Sequence, residues 1–143
     1  LFYMSTNWFK DMQDMHKKYG VEKWMKEEAE KGDWSKINKF MQFRLGMMQE
    51  ELDETKQAFD KKDAPEMVDG IIDLCVFAIG TLEVFGVDAN KAWDEVYRAN
   101  MSKEVGIKEG RPNPLGLPDL VKPDGWEGPV HEDNCGNITD SFQ

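Results

Sequence analysis

The chain has 143 residues and a mass of 16.5 kDa, the size of one compact domain. Its 28 acidic against 18 basic side chains give a formal net charge of −10 and a pI near 4.7, which argues against nucleic acid or an anionic membrane as partner. A hydrophobic share of 40% is enough for a core and excludes wholesale disorder.

Leu1-Phe2-Tyr3 precede Met4, and the sequence leaves open whether they are native. No basic stretch followed by an apolar one marks a signal peptide, so a reducing, cytoplasmic setting is expected. Trp8, Met12, Met15 and Tyr19 fall on one helical stripe that ends at Gly20, a C-cap. A short charged helix is expected over 21–31, and Gly32-Asp33 breaks it. Asp33 or Ser35 then caps a long helix over 36–59. Pro65 suits the first turn of the next helix, which runs to about Phe85 and stops at Gly86. Asp88 caps a further helix through about Lys103. The longest apolar run, Leu74–Ile79, falls far short of the roughly 18 residues of a membrane span. Cys75 lies in it and reads as a buried thiol. Together with Cys135 it makes no disulfide framework.

Five of the six prolines and six of the twelve glycines lie beyond Val105, so the tail is extended or looped. Its Leu115, Leu117, Leu120, Val121 and Trp126 mark an arm that packs on something, a partner subunit being one option. Disorder is the competing reading, above all for the last dozen residues. No strand is expected. The fold class is all-α: an antiparallel helical bundle over 1–105, with its core over 33–105, and an extended arm over 106–143.

The negative charge is unevenly placed. From Met48 to Asp73 nine acids face three lysines, a net −6 in 26 residues. A charge run is ordinarily a solvated helix face. Here, at 100° per residue, Met41, Leu45, Met48, Leu52 and Phe59 form one apolar stripe, and Glu50, Glu51 and Glu54 fall roughly opposite it. Phe40, Phe43, Met47 and Ala58 share that second face, so the helix reads as buried on two sides, with glutamates in or beside a packed interface. On the next helix Glu66, Asp69 and Asp73 project from one face, and Asp73 is the only polar residue between Ile71 and Ile79. Gly70 and Gly80, unfavourable in a helix interior, suggest close approach of a backbone or a ligand, or simple tolerance.

Two consecutive helices joined by a short turn would thus bring five or six carboxylates together, which repel unless positive charge lies between them. All-oxygen ligation points to a hard cation, Mg²⁺ or Mn²⁺. A di-iron bundle wants Glu-x-x-His motifs. The only histidines, His16 and His131, do not supply them and read as surface residues.

Glu50-Glu51-Leu52-Asp53-Glu54, followed by Glu66-x-x-Asp69-x-x-x-Asp73, resembles the all-α nucleoside triphosphate pyrophosphohydrolases, the MazG-like enzymes with dimeric dUTPases and phosphoribosyl-ATP pyrophosphohydrolases as relatives. The family pattern is Glu-x-x-Glu, a spacer, then Glu-x-x-Asp. Glu51 and Glu54 match the first half. Glu66 and Asp69 match the second literally, while Asp73 fits better by its distance to the Gly86-Val87-Asp88 turn, which leaves Gly70 where the family has Glu. The resemblance extends over residues 40–127. It takes in Phe43-Arg44-Leu45, the segment from Asp94 to Lys103, and Val121-Lys122-Pro123-Asp124-Gly125-Trp126, which looks like phage and bacterial members.

The resemblance implies hydrolysis of a (deoxy)nucleoside triphosphate to the monophosphate and pyrophosphate, by water attack at the α-phosphorus. It implies Mg²⁺, or Mn²⁺, on Glu51, Glu54, Asp69 and Asp73, with Glu66 as a ligand or a supporting group. Glu50 or Glu51 is the general base. Asn100, Lys103 and Arg44 face substrate. Lys103 also reads as a helix-end cation, and Arg44 as a partner of Glu51. Trp93 and Tyr97 read as core rather than base-stacking residues, and the methionines as core or interface filling. The base is open among dUTP, dCTP and dGTP, and nothing selects phosphoribosyl-ATP. A helix buried on two sides implies a homodimer or homotetramer. Two readings from other classes stand beside this one: an acidic helical binding module that mimics nucleic acid or docks a basic partner, and a structural dimerisation protein.

Overall fold

The computed structural model describes Met4, Ser5 and residues 7–142; Leu1, Phe2 and Tyr3 lie outside the described residues. The fold is all-α. Its helices are α1 (Trp8–Tyr19), α2 (Val21–Lys31), α3 (Trp34–Asp60), α4 (Ala64–Val84) and α5 (Ala89–Met101). Their borders follow local hydrogen bonding. Asn7 caps α1 by accepting from Lys10 N, Asp33 caps α3 through Lys36 N, and Asp63 caps α4 through Glu66 N. Gly20 and Gly32 close α1 and α2 in the left-handed conformation.

The chain divides into two compact units. One comprises the residues up to Ala89 together with those from Cys135 on, and the other is Asn90–Asn134. The boundary expected near residue 105 therefore falls inside the second unit.

In the first unit α3 packs most extensively on α4. Phe40 stacks near Phe85, Arg44 lies over Phe77, and Thr55 meets Gly70. Positions rise along α3 as they fall along α4, so the two helices are antiparallel. The core lies at one end of the pair, where Met25, Ile37, Val84 and Phe85 are buried against Trp24, Trp34, Phe40 and Ile138. Each such large apolar side chain contributes about 1.5–3 kcal/mol by leaving water. Ile138 belongs to the last dozen residues, whose described part packs on this core rather than lying loose. Short 3-10 helices, Gly136–Ile138 and Asp140–Phe142, lie against this core. Asn137 N donates to Phe85 O at 2.6 Å, and Asn38 Nδ2 to Ser141 O at 2.6 Å. Gly136 has φ 52°, and a Cβ there would lie 2.0 Å from Phe85 O, so only glycine fits.

In the second unit the arm expected to pack on something lies in part along α5. Residues 126–133 run back along α5. Trp126 Nε1 donates to Ala99 O, Arg98 to Gly128 O, Val130 N to Glu95, and Lys91 to Asp133. Two strands that sequence did not suggest, β1 (Glu104–Gly106) and β2 (Asp119–Val121), pair antiparallel with Glu104 opposite Val121. At three residues each they are too short to show alternation. Trp93 and Tyr97, read as core, are exposed. Among the described residues no single helix is long and apolar enough to cross a membrane.

Candidate active site

The apolar stripe read on the long helix is not its packed face. Leu45, Leu52 and Phe59 are exposed. The face toward α4 carries Arg44, Glu51 and Ala58, one heptad apart, with Thr55 between the last two. Glu51 is half-buried there. Across from it Asp73 is half-buried rather than enclosed, because Ile71 and Ile72 beside it face outward. Thr55, one turn on, donates its hydroxyl to Glu51 O at 2.8 Å. Gly70 admits it: a Cβ at Gly70 would lie 2.3 Å from Thr55 Oγ1. The glycine therefore answers to a neighbouring side chain. Gly80 does the same for Met12 and His16, whose atoms would lie 2.8 and 3.4 Å from an added Cβ.

Glu51 is the electrostatic centre of the face. Burial raises its pKa, and the charges of Glu54, Asp73 and Glu50 raise it further, as does a side-chain hydrogen bond with Glu54. Among the described residues no Lys, Arg or His forms an ion pair with Glu50, Glu51, Glu54, Glu66, Asp69 or Asp73. Nor do three His, Cys, Asp or Glu side chains come together closely enough to hold one ion. The expected convergence is thus a row: Glu51 and Asp73 face each other, while Glu50, Glu54, Glu66 and Asp69 are exposed along the same two helices. Like charges spread their flexible side chains toward solvent. The donor set is all oxygen, anionic and without a counter-charge, which fits a hard divalent cation.

Arg44 corrects a second expectation. It is 8% exposed, with its guanidinium over the rings of Phe40 and Phe77 at 5.0 and 5.8 Å. Its Nη2 donates to His16 Nε2 at 3.3 Å, and His16 Nδ1 donates to Glu83. The accepting Nε2 requires the neutral tautomer with its proton on Nδ1. Burial lowers the Arg44 pKa, and the Glu83 charge opposes that. Buried in this triad, Arg44 has little surface left for a nucleotide and makes no ion pair with Glu51. His16, read as a surface residue, is 2% exposed. Its partners lie 28 and 67 residues away, so no local signal marks it. Cys75, read as buried, is half-buried beside Ile72 and Val76 in an apolar groove of about 220 Å³ between α1 and α4.

The remaining expected residues lie in the second unit. Asn100 is near the end of α5, and Lys103 just beyond it with its ammonium 5.1 Å from the Trp126 ring.

Two antiparallel helices with this carboxylate row occupy the middle of a match to a family model, phosphoribosyl-ATP pyrophosphohydrolase, over residues 14–100. The chain belongs to this family. The matched segment is more than half of the chain and contains all of α2, α3 and α4. Membership places the chain in the MazG-like pyrophosphohydrolase superfamily and implies nucleotide pyrophosphohydrolase activity. The match ends at Asn100, so Lys103 and the arm lie beyond it. No curated protein matches the chain.

Proposed function

We propose that the chain hydrolyses (deoxy)nucleoside triphosphates to the monophosphate and pyrophosphate, by water attack at the α-phosphorus, with Mg²⁺ or Mn²⁺ held on the α3–α4 carboxylates. The observation that carries this reading is Glu51, half-buried beside Asp73, making no ion pair with Lys, Arg or His among the described residues, and raised in pKa by burial and by the charges of Glu54, Asp73 and Glu50. Titratable groups perturbed by burial and by like charges cluster at functional sites. Glu51, Glu54, Asp69 and Asp73 would hold the metal, and Glu66 would complete or support the set. When bound, the metal neutralises charge on the phosphate oxygens. Glu50 or Glu51 takes the proton of the attacking water. Asn100 and Lys103 are assigned to sugar and phosphate oxygens by resemblance alone. Arg44 is left out, since burial gives it a packing role.

The family match favours a second substrate, phosphoribosyl-ATP, which has the same α–β phosphoanhydride. One assay decides between them: pyrophosphate release from a panel of NTPs, dNTPs and phosphoribosyl-ATP, with Mg²⁺, with Mn²⁺ and with chelator. Metal-dependent release from any dNTP or NTP supports the first reading, and release from phosphoribosyl-ATP alone supports the second.

A homodimer or homotetramer belongs to the same proposal. Its support is the exposed series Leu45, Leu52 and Phe59 on α3 with Val68, Ile71 and Ile72 on α4, more apolar surface than a monomeric helix pair ordinarily shows water. Sedimentation at micromolar concentration that finds monomer alone refutes this part.

A further inference from the structure

We propose that the polar chain Arg44–His16–Glu83 is a register lock, which keeps Glu51 of α3 opposite Asp73 of α4. Arg44 and His16 are then positioning residues for the carboxylate row. The purpose of the lock rests on the metal reading above, while the lock itself is a property of the helix packing.

Ile37, Arg44 and Ala58 are the buried residues of α3. Ile37 belongs to the core at one end of the helix pair, and Ala58 is too small to key into a groove. Leu45, Leu52 and Phe59, which could fix a register, are exposed. Around the carboxylates, apolar packing therefore does little to choose one register over another. A slip of one turn, about 5.4 Å, would bring Asp73 to Met48 or Thr55 instead of Glu51.

Two contacts on either side of the Glu51–Asp73 pair make the choice. On one side Thr55 sits against Gly70. On the other Arg44 is tied to α4 twice. Its guanidinium lies over the Phe77 ring at 5.8 Å, one turn from Asp73. Its Nη2 also bonds His16 Nε2 at 3.3 Å, and His16 Nδ1 donates to Glu83. His16 comes from α1 and is seated at Gly80, where an added Cβ would lie 3.4 Å from its ring. Three helices thus give one residue each to a directional chain, and hydrogen bonds between such fixed partners hold in one register only.

The chain is a poor source of stability. Arg44 and His16 are buried, and Arg44 Nε has no hydrogen-bond partner among the described residues. Taking a charge out of water costs about what its pairing returns, so apolar side chains of like volume would hold the helices together at least as well. They would not tell one register from the next, which is the best-attested use of a buried polar group. Arg44 lies two turns from Glu51 on the same face of α3, about 10 Å along the axis, and acts on the carboxylates through the helix rather than by touching a metal.

The test replaces the whole polar chain at once, His16→Leu with Arg44→Met and Glu83→Met, so that no buried partner is left orphaned. Three measurements are made on the full chain: the melting midpoint in EDTA, binding of Mn²⁺ alone followed by the paramagnetic resonance of the free ion, and the nuclear Overhauser contact between the Thr55 side chain and Gly70 Hα. The triple variant should melt no lower than wild type. It should bind Mn²⁺ at least about tenfold more weakly, as metal sites do when the groups that orient their ligands are removed. It should also lose the Thr55–Gly70 contact. A merely structural role predicts the opposite pattern, a lower midpoint with the register kept in the folded fraction. Wild-type Mn²⁺ affinity, an intact Thr55–Gly70 contact, or a variant that melts clearly lower or fails to fold each overturns the lock. If wild type itself binds no Mn²⁺ and hydrolyses no nucleotide, the metal reading falls, and the midpoint and the Thr55–Gly70 contact decide the lock by themselves. If wild type binds Mn²⁺ and the triple variant binds it equally well, the lock alone falls.

Discussion

Replacing Glu51 by Gln keeps the shape of the α3–α4 contact and removes one charge from it. In the metal-free protein that charge is a burden, because burial and the charges of Glu54, Asp73 and Glu50 all raise the Glu51 pKa. A carboxylate whose folded pKa lies above its unfolded value destabilises the fold once ionised. The penalty is absent below the unfolded pKa, about 4.3 for Glu. It grows as pH rises through the folded pKa and is complete above it. In chelator, therefore, wild type should gain stability as pH falls from neutral toward the Glu51 pKa. Glu51→Gln should lack this gain and melt no lower than wild type at pH 7. Mg²⁺ should invert the order. A ligand at a hundredfold excess over its Kd adds about 2.7 kcal/mol to the folded state. At about 2.1 cal/mol/K per residue, 143 residues melt with an entropy near 0.3 kcal/mol/K, so Mg²⁺ should raise the wild-type Tm by about 9 °C. Glu51→Gln should lose most of that rise. Scanning calorimetry with EDTA and with Mg²⁺ reads both effects. A wild-type Tm indifferent to Mg²⁺, or a Glu51→Gln variant clearly less stable than wild type in EDTA, refutes the reasoning.

Asp73→Asn and Glu54→Gln should each cut pyrophosphate release at least a hundredfold, on the order of removing one electrostatic stabiliser, with the far-ultraviolet helical signal unchanged. Wild-type rates in both variants would mean the metal face is misassigned. Gly136→Ala should destabilise the first unit by about 1–3 kcal/mol, because its Cβ would fall 2.0 Å from Phe85 O in a left-handed backbone; urea denaturation measures it, and a loss below about 0.5 kcal/mol would count against the close approach. In the second unit, the Val130 N–H first and then Arg98 hold the Glu95 carboxyl below its usual range. Its stabilisation is present above the unfolded pKa and lost as pH falls through the folded one. Hydrogen exchange of the Val130 amide should accelerate in Glu95→Gln at pH 7, and an unchanged rate would show that the bond does not hold the arm.

The sequence made legible what is decided within a few residues. Asp33 and Pro65 start helices and Gly20 ends one because a cap concerns only its own turn. The carboxylate row was legible because its spacing is helical and Asp73 stands in an apolar run. The depth of each group was not. Leu45, Leu52 and Phe59 repeat every seven residues as a core stripe would, but the face on α4 holds Arg44, Glu51 and Ala58, two of them charged. Hydropathy cannot mark such a face. His16 is buried by Arg44 and Glu83, which only the tertiary fold brings near. Gly70 signalled a close approach without naming Thr55 as its cause.

The central claim is that the α3–α4 carboxylates hold a cation for phosphoanhydride hydrolysis. The direct test is pyrophosphate release by the purified chain from the nucleotide panel, measured with Mg²⁺, with Mn²⁺ and in EDTA. Release is expected with a divalent metal, none in EDTA, and one monophosphate should form for each pyrophosphate. Equal rates with and without metal, or no release from any nucleotide or from phosphoribosyl-ATP, would contradict it.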